Sequence, residues 1–181
     1  MHTATIIAIA VALIVLALIG IYLSHMAGRL DRAHLKVEST RSSLLANLAY
    51  RSSVALDLAG DGVLEPDVAV NLRMAARQAR DEEVSESGWH QESVLTAALH
   101  AAFADPEVTR NIVAADAVRV AELESVCRRV EYSRRFHNDA VRTARHLRDR
   151  FIPRMFRLAG HADWPEYADF DDSVPEGLGV R

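Results

Sequence analysis

The chain has 181 residues, half of them hydrophobic, 6% aromatic and 25% charged. That allows one membrane segment and one domain of ordinary size, and a composition rich in Ala and Val but poor in aromatics favours closely packed helices over a sheet. A formal net charge of -4 speaks against a generic nucleic-acid binder, while the single cysteine, Cys127, excludes an internal disulfide and fits a reducing compartment.

Residues Thr5 to Ser24 read TIIAIAVALIVLALIGIYLS, without one charged side chain. At about 1.5 Å per residue, about 20 residues span about 30 Å, the thickness of a bilayer's hydrocarbon. A cleaved signal peptide would need a basic leader, a shorter apolar core and a small-residue cleavage site. The leader MHTAT has no Lys or Arg, and SHMAG is a poor cleavage site. Residues 1–28 therefore read as a retained single-pass anchor, with Tyr22 at its interfacial end. Arg29, Arg32 and Lys36 follow the span. By the positive-inside rule, the N-terminus is expected outside and the remaining chain in the cytoplasm, at the cell membrane.

Residues 29–59 predict one helix. Leu30, Ala33, Val37, Leu44, Leu48, Ala55 and Leu58 form one apolar stripe, which Gly60-Asp61-Gly62 ends. A second helix begins at Pro66, with Asp67 suited to its positive end, and ends near Gly88. A third covers about Trp89 to Ala104. A fourth, from 107 to 152, contains no Gly or Pro and keeps an apolar spacing near 3.5 through Val120, Leu123, Cys127 and Val130. Pro153 should kink or end it, and Gly160 is a natural stop. Beyond it, Trp164, Tyr167 and Phe170 predict that about 162–170 docks on the bundle. The expected fold is all-α: an N-terminal transmembrane helix, then an antiparallel bundle of about four helices, two of them long, over 29–172, with a loose tail at 173–181.

Ten arginines lie between Arg128 and Arg157, opposed in that stretch by Glu131, Asp139 and Asp149. Arg128, Arg135 and Arg142 are seven apart and share a face, to which Arg145 adds. This is a candidate basic surface for anionic lipid head groups or an acidic partner; the alternative is a solvated face of an Arg-rich helix. Asn138 is a candidate polar position at the bundle seam, needing partners if buried. Cys127 falls in the apolar stripe and reads as an inert buried thiol. The histidines include no pair at i, i+4, and HExxH, GxSxG, GxGxxG and phosphate-loop patterns are absent. No catalytic residue, metal or cofactor is expected.

The stretch Tyr132 to Val141, YSRRFHNDAV, resembles a pattern of the LemA family, an Ala-Arg pair followed by aromatic-Asn and a Val three residues on. The matching positions are Arg134, Arg135, Phe136, His137, Asn138 and Val141. Phe151-Ile152-Pro153 resembles that family's Phe-Pro step. Phe156 to Gly160 with Trp164 and Phe170 resembles its closing Gly-Phe and aromatic-acidic ending. The likeness covers roughly 120–172. It departs at Tyr50 to Asp57, which lacks the family's Pro and Asn, and at His137, which replaces an aromatic. It implies a membrane-tethered helical bundle without known catalytic residues. The expected role is a non-enzymatic interaction or scaffold module. The alternative is a small-molecule or lipid sensor with a pocket near His137 and Asn138. The expected partners are the lipid bilayer, anionic lipid head groups, and a protein partner or a second copy, but not nucleic acid.

Overall fold

The computed structural model describes residues 2–81, 86–149 and 163–179, and among them the protein is all-helical, with no strand. Helix α1 runs from His2 to Gly60, α2 from Pro66 to Asp81, α3 from Glu86 to Ala102, α4 from Pro106 to Ala115 and α5 from Ala117 to Arg148. A 3-10 turn at Glu176–Gly179 follows an irregular strap beginning at Asp163. The acidic run from 82 to 85 and the positions Arg150, Phe151, Ile152, Pro153, Arg154, Phe156, Arg157 and Gly160 lie outside the described residues.

The apolar run and the first bundle helix form one continuous helix, because neither Pro nor a turn-forming pair interrupts 2–60. Helix α1 is long and apolar enough to cross a membrane. It ends where Gly62 takes φ +72, a left-handed conformation that a Cβ would penalise. The Arg73 guanidinium of α2 donates to the Ala59 carbonyl at 2.5 Å, satisfying an acceptor left over at the helix end.

Two boundaries differ from the sequence expectation. Helix α2 is described as far as Asp81, and Gly88, near which it is expected to end, lies inside α3. A glycine near a helix start is tolerated, since the first amides have no intrahelical partner there. The expected helix over 107–152 is interrupted at Asp116, whose φ of -149 and ψ of 77 lie outside the helical range. The Asp116 side chain instead accepts from the Arg119 amide at 2.9 Å, which caps α5. At the start of α4, Asp105 accepts from the Glu107 and Val108 amides and Pro106 takes the first helical position, as the sequence predicts.

The chain divides into two compact units. One comprises Met1–Glu38 and Asp139–Glu166. Its buried apolar side chains include Met26, Leu30, Val141 and Ala144. Arg145 donates through Nε to the Pro165 carbonyl, and Arg148 donates to the Asp163 carbonyl while its guanidinium lies over the Trp164 ring, 4.6 Å from the centroid.

The other unit comprises Ser39–Asn138 and Tyr167–Arg181. Its main core joins Val54, Leu58, Leu72, Leu95, Leu99, Phe103, Ile112, Leu123 and Val126. Helix α2 contributes Ala69, Ala75 and Ala76, small side chains that allow close packing on α3. A smaller cluster joins Leu44 and Leu48 of α1, Val130 of α5, and Ala168 and Phe170 of the strap. Burying each Leu or Phe contributes about 1.5–3 kcal/mol.

Candidate functional site

The most elaborate polar arrangement is the seat of the strap on α3 and α5. Ala168, Phe170 and Asp172 are buried, whereas Asp169, Asp171 and Ser173 are exposed. This alternation is the signature of an extended chain, whose successive side chains point to opposite faces. Helical positions on α3 and α5 hold it. The Asn138 amide donates to the Ala168 carbonyl at 3.0 Å and accepts from the Ala168 amide at 2.9 Å. The Phe170 ring stacks on Trp89, with centroids 5.3 Å apart, and the Arg134 guanidinium covers it at 5.6 Å. Arg134 also donates to both Asp172 carboxylate oxygens, at 2.6 and 2.9 Å, a fork-to-fork pair of the strong kind. The Asp171 amide donates to the Ser93 hydroxyl, and the Thr96 hydroxyl donates to the Asp171 carbonyl at 2.6 Å. His100 pairs with Ser173 at 2.9 Å. The Asp171 carboxyl accepts from the Ser173 amide, and hydrogen bonds from Ser173 hold it below the usual aspartate range.

Below Thr96 lies a buried ion pair. Arg51 on α1 and Glu92 on α3 are 1% and 4% exposed and meet at 2.6 Å. Arg51 also donates to the Glu92 carbonyl and to the Thr96 hydroxyl. Burial pushes the Glu92 carboxyl above the usual range, and the Arg51 charge opposes that shift. The neighbouring Cys127 is buried, and burial raises its thiol pKa, which suits an inert packing role. Arg119 holds a second charge cluster. It reaches Asp61 at 2.7 Å, Asp116 at 3.2 Å and Asp57 at 3.6 Å, tying the end of α1 to the start of α5.

The predicted basic positions fare differently. Arg128 pairs with Glu124 at 3.0 Å, Arg135 with Glu131 at 2.5 Å and Arg142 with Asp139 at 3.0 Å. Each carboxylate lies one turn away on α5 and offsets part of the positive charge. All three arginines are at least half exposed, and pairs of this kind contribute little to stability. Arg145 is engaged with the Pro165 carbonyl. Asn138 has found the partners its position demands, and they belong to the strap. Its neighbour His137 is buried, with Nδ1 3.4 Å from the Thr40 hydroxyl.

An apolar cleft of about 990 Å³ lies among α3, α4 and the 3-10 turn, lined by Phe103, Pro106, Val113 and Pro175 with Arg110 and Glu176. Gly177 closes one side. A Cβ there would lie 2.6 Å from the Phe103 carbonyl oxygen, so only glycine fits. Among the described residues no group of three or more His, Cys, Asp and Glu side chains could hold a metal.

Sequence reasoning singles out Asn138 but misses Trp89, Ser93, Thr96 and Arg134 as one surface. Arg134 enters it only as a family position and as part of an arginine run. The alternation in Ala168-Asp169-Phe170-Asp171-Asp172-Ser173 is the available signal, masked because one inward residue is an aspartate. No family model, no curated protein and no solved structure matches the chain.

Proposed function

We propose that the chain is a membrane-tethered, non-enzymatic interaction module of LemA-like type, anchored by Thr5–Ser24 with its bundle at the cytoplasmic face. The observation that carries this reading is the unbroken passage of α1 from an uncharged apolar run into a packed bundle helix. In the run, large apolar side chains such as Ile6, Leu16 and Leu18 are more than 60% exposed. Contiguous apolar surface of that extent calls for a covering, and a bilayer supplies it. Arg29, Arg32 and Lys36 support the orientation. The strap's seat and the exposed Tyr132 and Phe136 on α5 give the bundle surfaces for a protein partner.

Co-purification tests the interaction role. After cross-linking in intact cells and extraction in mild detergent, the chain should migrate in a discrete complex with a second protein or a second copy. A chain that stays monomeric, with nothing cross-linked to it, contradicts the proposal.

The apolar cleft supports a second reading, ligand sensing, at the end of α3 rather than beside Asn138. Its volume suits a small molecule. An apolar dye should then bind the full chain saturably, and Val113→Trp, which fills the cleft, should abolish that binding; dye binding unchanged by Val113→Trp contradicts it.

A further inference from the structure

We propose that the groove between α3 and α5 is a peptide-recognition site, filled here in cis by Ala168–Ser173, and that a partner chain presenting a small residue, an aromatic two positions later and an aspartate two beyond that takes the strap's place. The inference rests on the interaction reading above and supplies the chemistry of the partner.

The contacts are those by which proteins read extended peptides. Main-chain hydrogen bonds supply sequence-independent affinity, and seats for alternate side chains supply specificity. Asn138 takes both backbone groups of Ala168, and Ser93 and Thr96 take those of Asp171. The side-chain seats fall at every second residue. Ala168 is fully buried, which demands a small residue. Trp89 and Arg134 enclose the ring of Phe170 from two sides. Arg134 then grips the Asp172 carboxylate with both nitrogens, a geometry that a planar carboxylate satisfies and an amide does not. Asp169 is exposed between these seats and leaves its position unspecified.

The groove does not depend on the strap for its scaffold. The main core of this unit takes nothing from residues 163–173, though Leu178 beyond the strap belongs to it, whereas Ala168 and Phe170 sit in the smaller cluster. Release of the strap would therefore expose a preformed surface of helical side chains. A cis occupant present for about nine-tenths of the time would weaken a competing peptide about tenfold.

The test uses the full-length chain in detergent micelles and a fluorescein-labelled peptide, PEYADFDDSV, which copies residues 165–174. Phe170→Ala with Asp172→Asn loosens the cis strap while leaving the groove intact. That variant should bind the peptide saturably and about tenfold or more tighter than the wild-type chain. Adding Arg134→Gln should abolish the binding, and a scrambled peptide should not bind. Equal binding by a helical double variant and the wild type overturns the proposal, as does binding that survives Arg134→Gln or scrambling. If the double variant loses its helical circular dichroism, Asp172→Asn alone carries the same comparison, with the same outcomes for and against. A wild-type dimer that forms with concentration and is lost in Arg134→Gln would assign the groove to a second copy and overturn a separate partner. Peptide binding without any cellular complex would withdraw the interaction role but keep the groove. A captured partner without peptide binding would do the reverse.

Discussion

At the scale of single residues, the buried Arg51–Glu92 pair shows how charge can specify a packed interface. Both positions are visible in the sequence. Arg51 falls three after Leu48 and four before Ala55, on the buried stripe of α1, and Glu92 falls three before Leu95 on that of α3. Two opposite charges on two buried stripes are a pairing signal that a search for apolar periodicity passes over. Taking both charges out of water costs several kcal/mol, which the ion pair and its added hydrogen bonds offset. Breaking the pair from one side should therefore be severe. Glu92→Ala is expected to lower unfolding stability by about 3–5 kcal/mol, because it strands a buried guanidinium. Arg51→Leu combined with Glu92→Leu should recover most of that loss. Denaturant unfolding of the single and double variants checks both, and additive losses in the double variant would contradict the pairing account. Asn138 is legible as a polar seam residue in need of partners. Its partner is not, since the backbone of Ala168 is 30 positions away and carries no side-chain signature.

At the scale of elements, the sequence indicates helices well and their interruptions poorly. The apolar spacing through 113–130 continues across Asp116 with neither Gly nor Pro, yet the chain breaks there. An aspartate can serve a helix start without any helix-breaking residue, by accepting from an amide three positions on. The strap illustrates the opposite case, where aromatics predict docking but the extended form goes unread. Both features titrate. Hydrogen bonding to Arg119 lowers the Asp116 pKa, and hydrogen bonding to Ser173 lowers that of Asp171. A carboxyl depressed in the folded state stabilises fully above its unfolded value, about 3.9, and loses that contribution as pH falls through the folded value. Melting temperature should therefore drop as pH is lowered from about 4 toward 2. Asp116→Ala is expected to melt lower than wild type at pH 7 and to lose less on acidification; a variant that parallels the wild type across that range would contradict the capping role.

At the scale of the whole molecule, the apolar run is the most legible feature, because length and absence of charge suffice to mark a helix able to cross a membrane. The structure adds that the apolar run and the first bundle helix are one element, α1. The seat of the strap is not legible, since it combines side chains from two helices with the backbone of a distant segment. Every role proposed for the bundle depends first on where the chain resides. Alkaline carbonate extraction of membranes from expressing cells tests this most directly. The full chain should remain in the pellet at high pH and enter the supernatant only with detergent, and replacing Val15 and Leu16 by Arg should release it. A wild-type chain that carbonate alone brings into the supernatant would contradict the membrane anchor and the function built on it.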